Sequence, residues 1–198
     1  MTGLGSRRAT PLLLTLLTIV PGGVTLGGQV TATARPGAVP PWDKGIKAID
    51  SESYYAAMDC GKRGGADPAC VFWDTGLCKN ADFELAFYTP YKMVAYEVWN
   101  AVRRKQPVPT PSYPEARRTR VTIGVTPVQG SKNVFNALML KRGGKVVTAV
   151  ARANEPGGGK FTYDYAPFAP TAPLTIEIAG KAKTIACTVP PDVLASFR

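Results

Sequence analysis

Three carboxylates, Asp74, Asp82 and Glu84, stand close together in the chain, and paired acids can support hydrolysis without any other side chain. A glycosidase needs two such groups about 5–10 Å apart. Asp82 and Glu84 alternate with Phe83, Leu85 and Phe87, however, so a solvated strand face explains them without chemistry. Other routes close quickly. The 198 residues contain no histidine, which removes Ser-His and Cys-His nucleophiles and Cys/His zinc sites. No serine sits in a G-x-S-x-G turn. Pro156-Gly157-Gly158-Gly159-Lys160 approaches a phosphate loop, but that pattern wants Gly at 154 and Ser or Thr at 161, where Asn154 and Phe161 stand. It reads as a flexible hairpin loop instead. No D-x-D-x-D run offers oxygen ligands to calcium. The sequence thus points to no catalytic residue, no cofactor and no metal. A hydrolase using carboxylates of the N-terminal region is the second reading, not the first.

The cysteines say more. Cys60, Cys70, Cys78 and Cys187 form an even set without C-x-x-C spacing, which favours two structural disulfides over redox or tetrathiolate zinc chemistry. Three pairings are open: 60–70 with 78–187, 60–78 with 70–187, or 60–187 with 70–78. Each has one local bridge and one long one. The start of the chain supplies the matching compartment. Arg7 and Arg8 precede the apolar run Leu12–Val20, and Ala32-Thr33-Ala34 follows, which together make the three parts of a secretory signal. Pro21-Gly22-Gly23 breaks the run well short of the roughly 20 residues that a membrane span needs. We expect a signal peptide over 1–34, cleaved after Ala32 or Ala34, and a secreted or periplasmic protein with no transmembrane segment in its mature chain.

These residues must be carried by regular elements. Arg35 to Pro41 reads as an extended leader, and Gly45 interrupts a helical spacing of Trp42, Ile46 and Ile49. A short helix is expected at Ser53–Asp59, closed by Gly61, and a strand at Val71–Trp73 entering a turn at Asp74-Thr75-Gly76. Phe83, Leu85 and Phe87 mark a half-buried strand. Thr89-Pro90 then opens a packing helix with Tyr91, Val94, Ala95, Val98 and Val102 on one face and Lys92, Glu97, Asn100 and Arg103 opposite. Residues 106–119 are proline-rich and read as a stiff linker. Beyond it the period is two: Val121–Val125, Leu138–Leu140, Val146–Ala151, Phe161–Tyr165, Leu174–Ile178 and Ile185–Val189. The expected organisation is a cysteine-rich strand–helix region (35–105), the linker, and an antiparallel β-sandwich of about six strands (120–198). The whole is mainly β, α+β in class. In strand count the C-terminal half resembles bacterial immunoglobulin-like or fibronectin-type modules, which implies a sandwich architecture. The Cys…Trp…Cys spacing of antibody domains is missing, and Ile185 stands where they have Tyr.

Charge divides the chain. Residues 35–102 carry 7 basic and 9 acidic side chains, whereas residues 103–198 carry 15 and 5, a net charge of +10. The clusters are Arg103-Arg104-Lys105, Arg117-Arg118 with Arg120, and Lys141-Arg142 with Lys145. Outside the cytoplasm such a field favours an anionic envelope polymer or a partner protein. Nucleic acid is not expected, because no aromatic residues interleave these clusters. The leading expectation is a secreted binding or interaction module whose basic β half meets such a partner. A purely structural envelope protein is a further alternative.

Overall fold

Residues 45–198 are described by a computed structural model; the expected signal segment, the leader to Pro41 and Trp42 lie outside them. The first helix, α1 (Ser51–Arg63), is capped by Asp50, whose carboxylate accepts the Ser53 N–H at 2.7 Å. Burial pulls the Asp50 carboxyl up, but the Lys47 ammonium and the Ser53 N–H and hydroxyl outweigh it and bring it down to about 2. The helix is longer than the expected Ser53–Asp59 and ends at Gly64, not Gly61. Gly61 marks instead where α1 crosses the next helix, α2 (Pro90–Arg103): a Cβ there would lie 2.5 Å from the Ala95 carbonyl oxygen. Alanine would gain about 1 kcal/mol of helix propensity. Forcing two helix backbones apart outweighs that gain.

Thr89 and Pro90 start α2 as the sequence predicts, with the Thr89 hydroxyl accepting the Lys92 N–H at 3.1 Å. The same hydroxyl donates to the Arg198 carbonyl and ties the C-terminus to this helix. Within the proline-rich stretch, Ser112 caps a short helix, α3 (Tyr113–Arg118). The Tyr54 hydroxyl donates to the Pro111 carbonyl, and the Tyr54 and Tyr113 rings meet edge to face at 5.3 Å, so this stretch is docked on α1. Tyr54, Ala57, Val94, Val98 and Trp99 form the core of this helical layer.

Among the described residues, eight strands make two four-stranded antiparallel sheets. They are β1 (Phe83–Tyr88), β2 (Val121–Pro127), β3 (Phe135–Arg142), β4 (Lys145–Val147), β5 (Ala151–Glu155), β6 (Gly158–Tyr163), β7 (Leu174–Gly180) and β8 (Thr184–Val189). The sheet orders are β1-β2-β6-β5 and β4-β3-β7-β8. Between the sheets lie Phe83, Phe87, Ile123, Leu140, Tyr163 and Ile176; Leu194 of the short C-terminal helix α4 (Pro191–Leu194) and Phe197 join them. The expected sandwich is present, with eight strands instead of six, for two reasons. β1, placed by sequence in the N-terminal region, pairs with β2 over six residues and extends the first sheet. The stretch Val146–Ala151 is not one strand: β4 pairs with β3 in one sheet and β5 with β6 in the other, so the chain crosses between sheets there.

Two local expectations are corrected. Val71–Trp73 is no strand, because the Val71 and Phe72 N–H groups both turn back to the Pro68 carbonyl and further turns follow. In the glycine-rich stretch only Pro156-Gly157 makes the hairpin turn, and Gly158 and Gly159 belong to β6. A Cβ on Gly158 would lie 2.0 Å from the Val125 carbonyl oxygen, so close strand packing, not an anion, explains that glycine.

The disulfides are Cys60–Cys70 and Cys78–Cys187, the first of the three open pairings, and their presence fits an oxidising environment. Among the described residues no helix is long and apolar enough to cross a membrane. The long bridge spans 109 residues, and the loop-closure argument gives such a bridge about 4–5 kcal/mol of stability. Cys187→Ser should therefore lower the unfolding free energy by about that amount and leave Cys78 as the reactive thiol. Non-reducing peptide mapping and urea unfolding check both parts. An unmodified Cys187 in the native protein, isolated without reductant, would contradict them.

Candidate functional site

The segment from Cys70 to Cys78 is anchored covalently at both ends, to α1 through Cys60 and to β8 through Cys187. Cys78 holds a left-handed backbone, φ 58°, which an L-residue adopts only under constraint. Fixed in this way, the segment carries Asp74 inward, where only 4 % of the residue is exposed. Both Asp74 carboxylate oxygens lie 2.6 Å from Lys92 Nζ, and Oδ2 also accepts the Phe87 N–H at 2.7 Å. One carboxylate thus joins the cysteine loop, strand β1 and helix α2. Lys92 is buried in the first turn of α2, not on the polar face that the sequence suggested, and its ammonium lies 5.8 Å from the Trp73 ring and 5.9 Å from Tyr88.

Above this ion pair opens a groove of about 730 Å³. The cysteine loop forms one wall with Phe72 and Leu77, α2 forms another with Met93 and Tyr96, and Ala86 and Tyr88 of β1 complete it. Met93 and Tyr96 are 45% and 43% exposed, large apolar surface that the fold leaves uncovered. Phe72 meets Tyr96 and Trp99 edge to face, at 6.5 and 4.9 Å between ring centres. Phe72 and Tyr96 also border a second, shallower depression lined by Trp99, Arg103, Arg104 and Asp67. The apolar groove therefore continues toward two arginines opposed by one acid, with the Arg103 guanidinium 5.2 Å from the Trp99 ring.

β1 is an edge strand, and its residues, Leu85 among them, line the groove. The Val128 N–H donates to the Asp82 carbonyl at 2.9 Å, which sets the phase of the ladder. Glu84, Ala86 and Tyr88 bond across to β2, while Phe83, Leu85 and Phe87 turn their amides to the open edge. Asn80 covers Phe83 as a strand residue would: its side chain accepts the Phe83 N–H at 2.8 Å and donates to the Phe83 carbonyl at 2.9 Å. Asp74 covers the Phe87 N–H. Among the described residues nothing covers the N–H and C=O of Leu85, between them.

The three carboxylates singled out by sequence do not form one site. Asp74 is held by Lys92, and Glu84 is exposed on the groove. Asp82 does not share the outward strand face expected for it. It is buried, 3.0 Å from Lys183 Nζ, and accepts the Ser131 hydroxyl at 3.1 Å. Lys183 holds the Asp82 carboxyl below its ordinary range, so its stabilising effect is present above that range and is lost as pH falls through the lowered value.

The nine cations proposed for polyanion binding divide by environment. Arg120 pairs with Asp164, Lys141 with Glu177 at 2.7 Å, and Arg142 donates to Pro167, Ala169 and Thr171 across a loop. Arg103, Arg104 and Lys105 at the end of α2, Arg117 and Arg118 at the end of α3, and Lys145 at the β3–β4 hairpin are exposed, with no acid paired to them among the described residues. Only Arg103 and Arg104 border the groove system. Lys92 and Met93 were missed by sequence, although one signal was present. Lys92 lies one heptad before the buried Trp99, on a stripe that the bulk of the tryptophan draws inward.

Breaking a buried pair leaves one charge uncompensated, at about 3–5 kcal/mol. Lys92→Met should cost that much. Lys92→Met with Asp74→Asn should cost clearly less than the two single changes summed, because the double change strands no buried charge, while asparagine keeps an acceptor for the Phe87 N–H. A double-mutant cycle by urea unfolding measures this, and simple additivity would contradict the coupling.

No protein family, curated protein or solved structure matches the chain, and the reading of the site rests on its own geometry.

Proposed function

We propose that this chain is a non-catalytic binding module, exported after removal of residues 1–34, and that the groove between the cysteine loop, β1 and α2 is its ligand site. The observation that carries this reading is a groove of about 730 Å³ with aromatic and thioether walls, a size and lining typical of ligand sites. Its buried carboxylate is committed to Lys92 and to a backbone amide, which suits a rigid floor rather than proton transfer. The neighbouring Arg103 and Arg104 give the site a direction: a ligand with an apolar body and an anionic end fits both depressions. That chemistry belongs to a partner protein more than to a uniformly charged polymer. The six unpaired exposed cations would then speed its approach.

Anilinonaphthalene sulfonate, a dye with an apolar body and one anionic group, tests the site directly. Its emission should rise and shift to the blue with the wild-type protein. Ala86→Trp, which fills the groove from the exposed side of β1, should abolish the change without altering the melting temperature. Arg103→Ala with Arg104→Ala should weaken the dye and flatten its salt dependence. Equal enhancement by the Ala86→Trp protein, or none by the wild type, would overturn the assignment.

A further inference from the structure

The edge of β1 carries a finer statement about the same groove, and it rests on the binding reading above. Strands at sheet edges are normally blunted, because an unpaired row of amides templates another chain. Here the blunting is incomplete in one place. Asn80 closes the rung at Phe83 and Asp74 closes the N–H at Phe87, and the rung between them, Leu85, opens into the groove. In an antiparallel pair one residue exchanges both hydrogen bonds with the residue opposite it, so a single free rung can be satisfied by a single residue of an incoming strand. A compact apolar molecule or an acyl chain would leave both groups unmet, whereas an extended peptide meets them.

We propose that the groove takes an extended peptide segment of a partner protein. One of its residues pairs antiparallel with the Leu85 backbone, an apolar side chain lies between Phe72, Met93 and Tyr96, and an acidic residue reaches Arg103 and Arg104. The pairing supplies orientation and the walls supply side-chain choice, the division of labour in strand-addition recognition. Charge complementarity sets the third feature: two arginines face one acid, Asp67, in the depression that continues the groove past Phe72 and Tyr96. The covered rung at Phe83 on one side and the covered N–H at Phe87 on the other keep the pairing short. Extended aggregation along the edge is thereby blocked while one peptide is admitted.

The test uses a random peptide library displayed on phage, selected on the wild-type protein and counter-selected on the Ala86→Trp protein. Enriched sequences should combine an apolar residue with an acid, and their synthetic peptides should bind the wild type. Methylating each peptide backbone nitrogen in turn should weaken binding at least about tenfold at one position and little at its immediate neighbours. Leu85→Pro removes the outward N–H without touching the ladder to β2, and should weaken the same peptides comparably. The methylation scan is independent of how that variant folds. Peptides that bind the groove but tolerate methylation at every position would overturn the strand pairing and leave the binding site standing. The same holds if no peptide is enriched while the dye still binds and Ala86→Trp still abolishes it. Loss of both dye and peptide binding by the wild-type protein would overturn the site itself.

Discussion

A single buried carboxylate holds together the parts of this fold that define its groove. Asp74 accepts from Lys92 on α2 and from the Phe87 amide on β1, while its own loop is held by two disulfides. Each partner alone would leave a charge or an amide unsatisfied in an apolar setting, and such groups are costly to bury. Together they satisfy one another. The loop, strand and helix therefore cannot drift apart without breaking a buried ion pair. The groove above them inherits this rigidity, and a rigid apolar groove loses little entropy when a ligand orders in it.

The arrangement also explains why the two cores sit as they do. The helical layer packs around Trp99 and the α1–α2 crossing at Gly61, and the sandwich packs around the inward faces of its two sheets. The cysteine loop belongs to both: Val71 and Cys70 pack with the helical layer, while Trp73, Leu77 and Cys78 pack against the sandwich core. Cross-linking at 60–70 and 78–187 follows that division, one bridge per layer. In the oxidising setting implied by two disulfides, the loop is the hinge that chemistry has fixed.

Much of this architecture was legible because it follows local rules. The alternation of Phe83, Leu85 and Phe87, the Thr89-Pro90 helix start and the period-two stretches beyond Val121, Val146–Ala151 excepted, appear as elements where the sequence places them. What failed was non-local. Gly61 looks like a helix stop until α2 is seen against it, and Val146–Ala151 looks like one strand until its halves are seen to pair in different sheets. Lys92 reads as a solvated charge because nothing in its own helix announces Asp74, eighteen residues earlier. Asp74 itself was noticed, for its chemistry, while its structural role depends on a turn geometry that the loop acquires only between its two bridges. The six exposed and three engaged cations look alike in a charge count and differ only in their neighbours.

Amide hydrogen exchange along β1 tests the central claim most directly, and needs no ligand. If the loop blunts this edge everywhere but one rung, the amides of Phe83 and Phe87 are protected by Asn80 and Asp74, those of Glu84, Ala86 and Tyr88 by β2, and Leu85 alone exchanges fast. In an Asp74→Ala protein, which has no acceptor for the Phe87 N–H, the protection of Phe87 should fall while that of Phe83 stays. A Leu85 amide as protected as its neighbours, or a β1 that exchanges uniformly fast, would contradict both the anchored loop and the open rung.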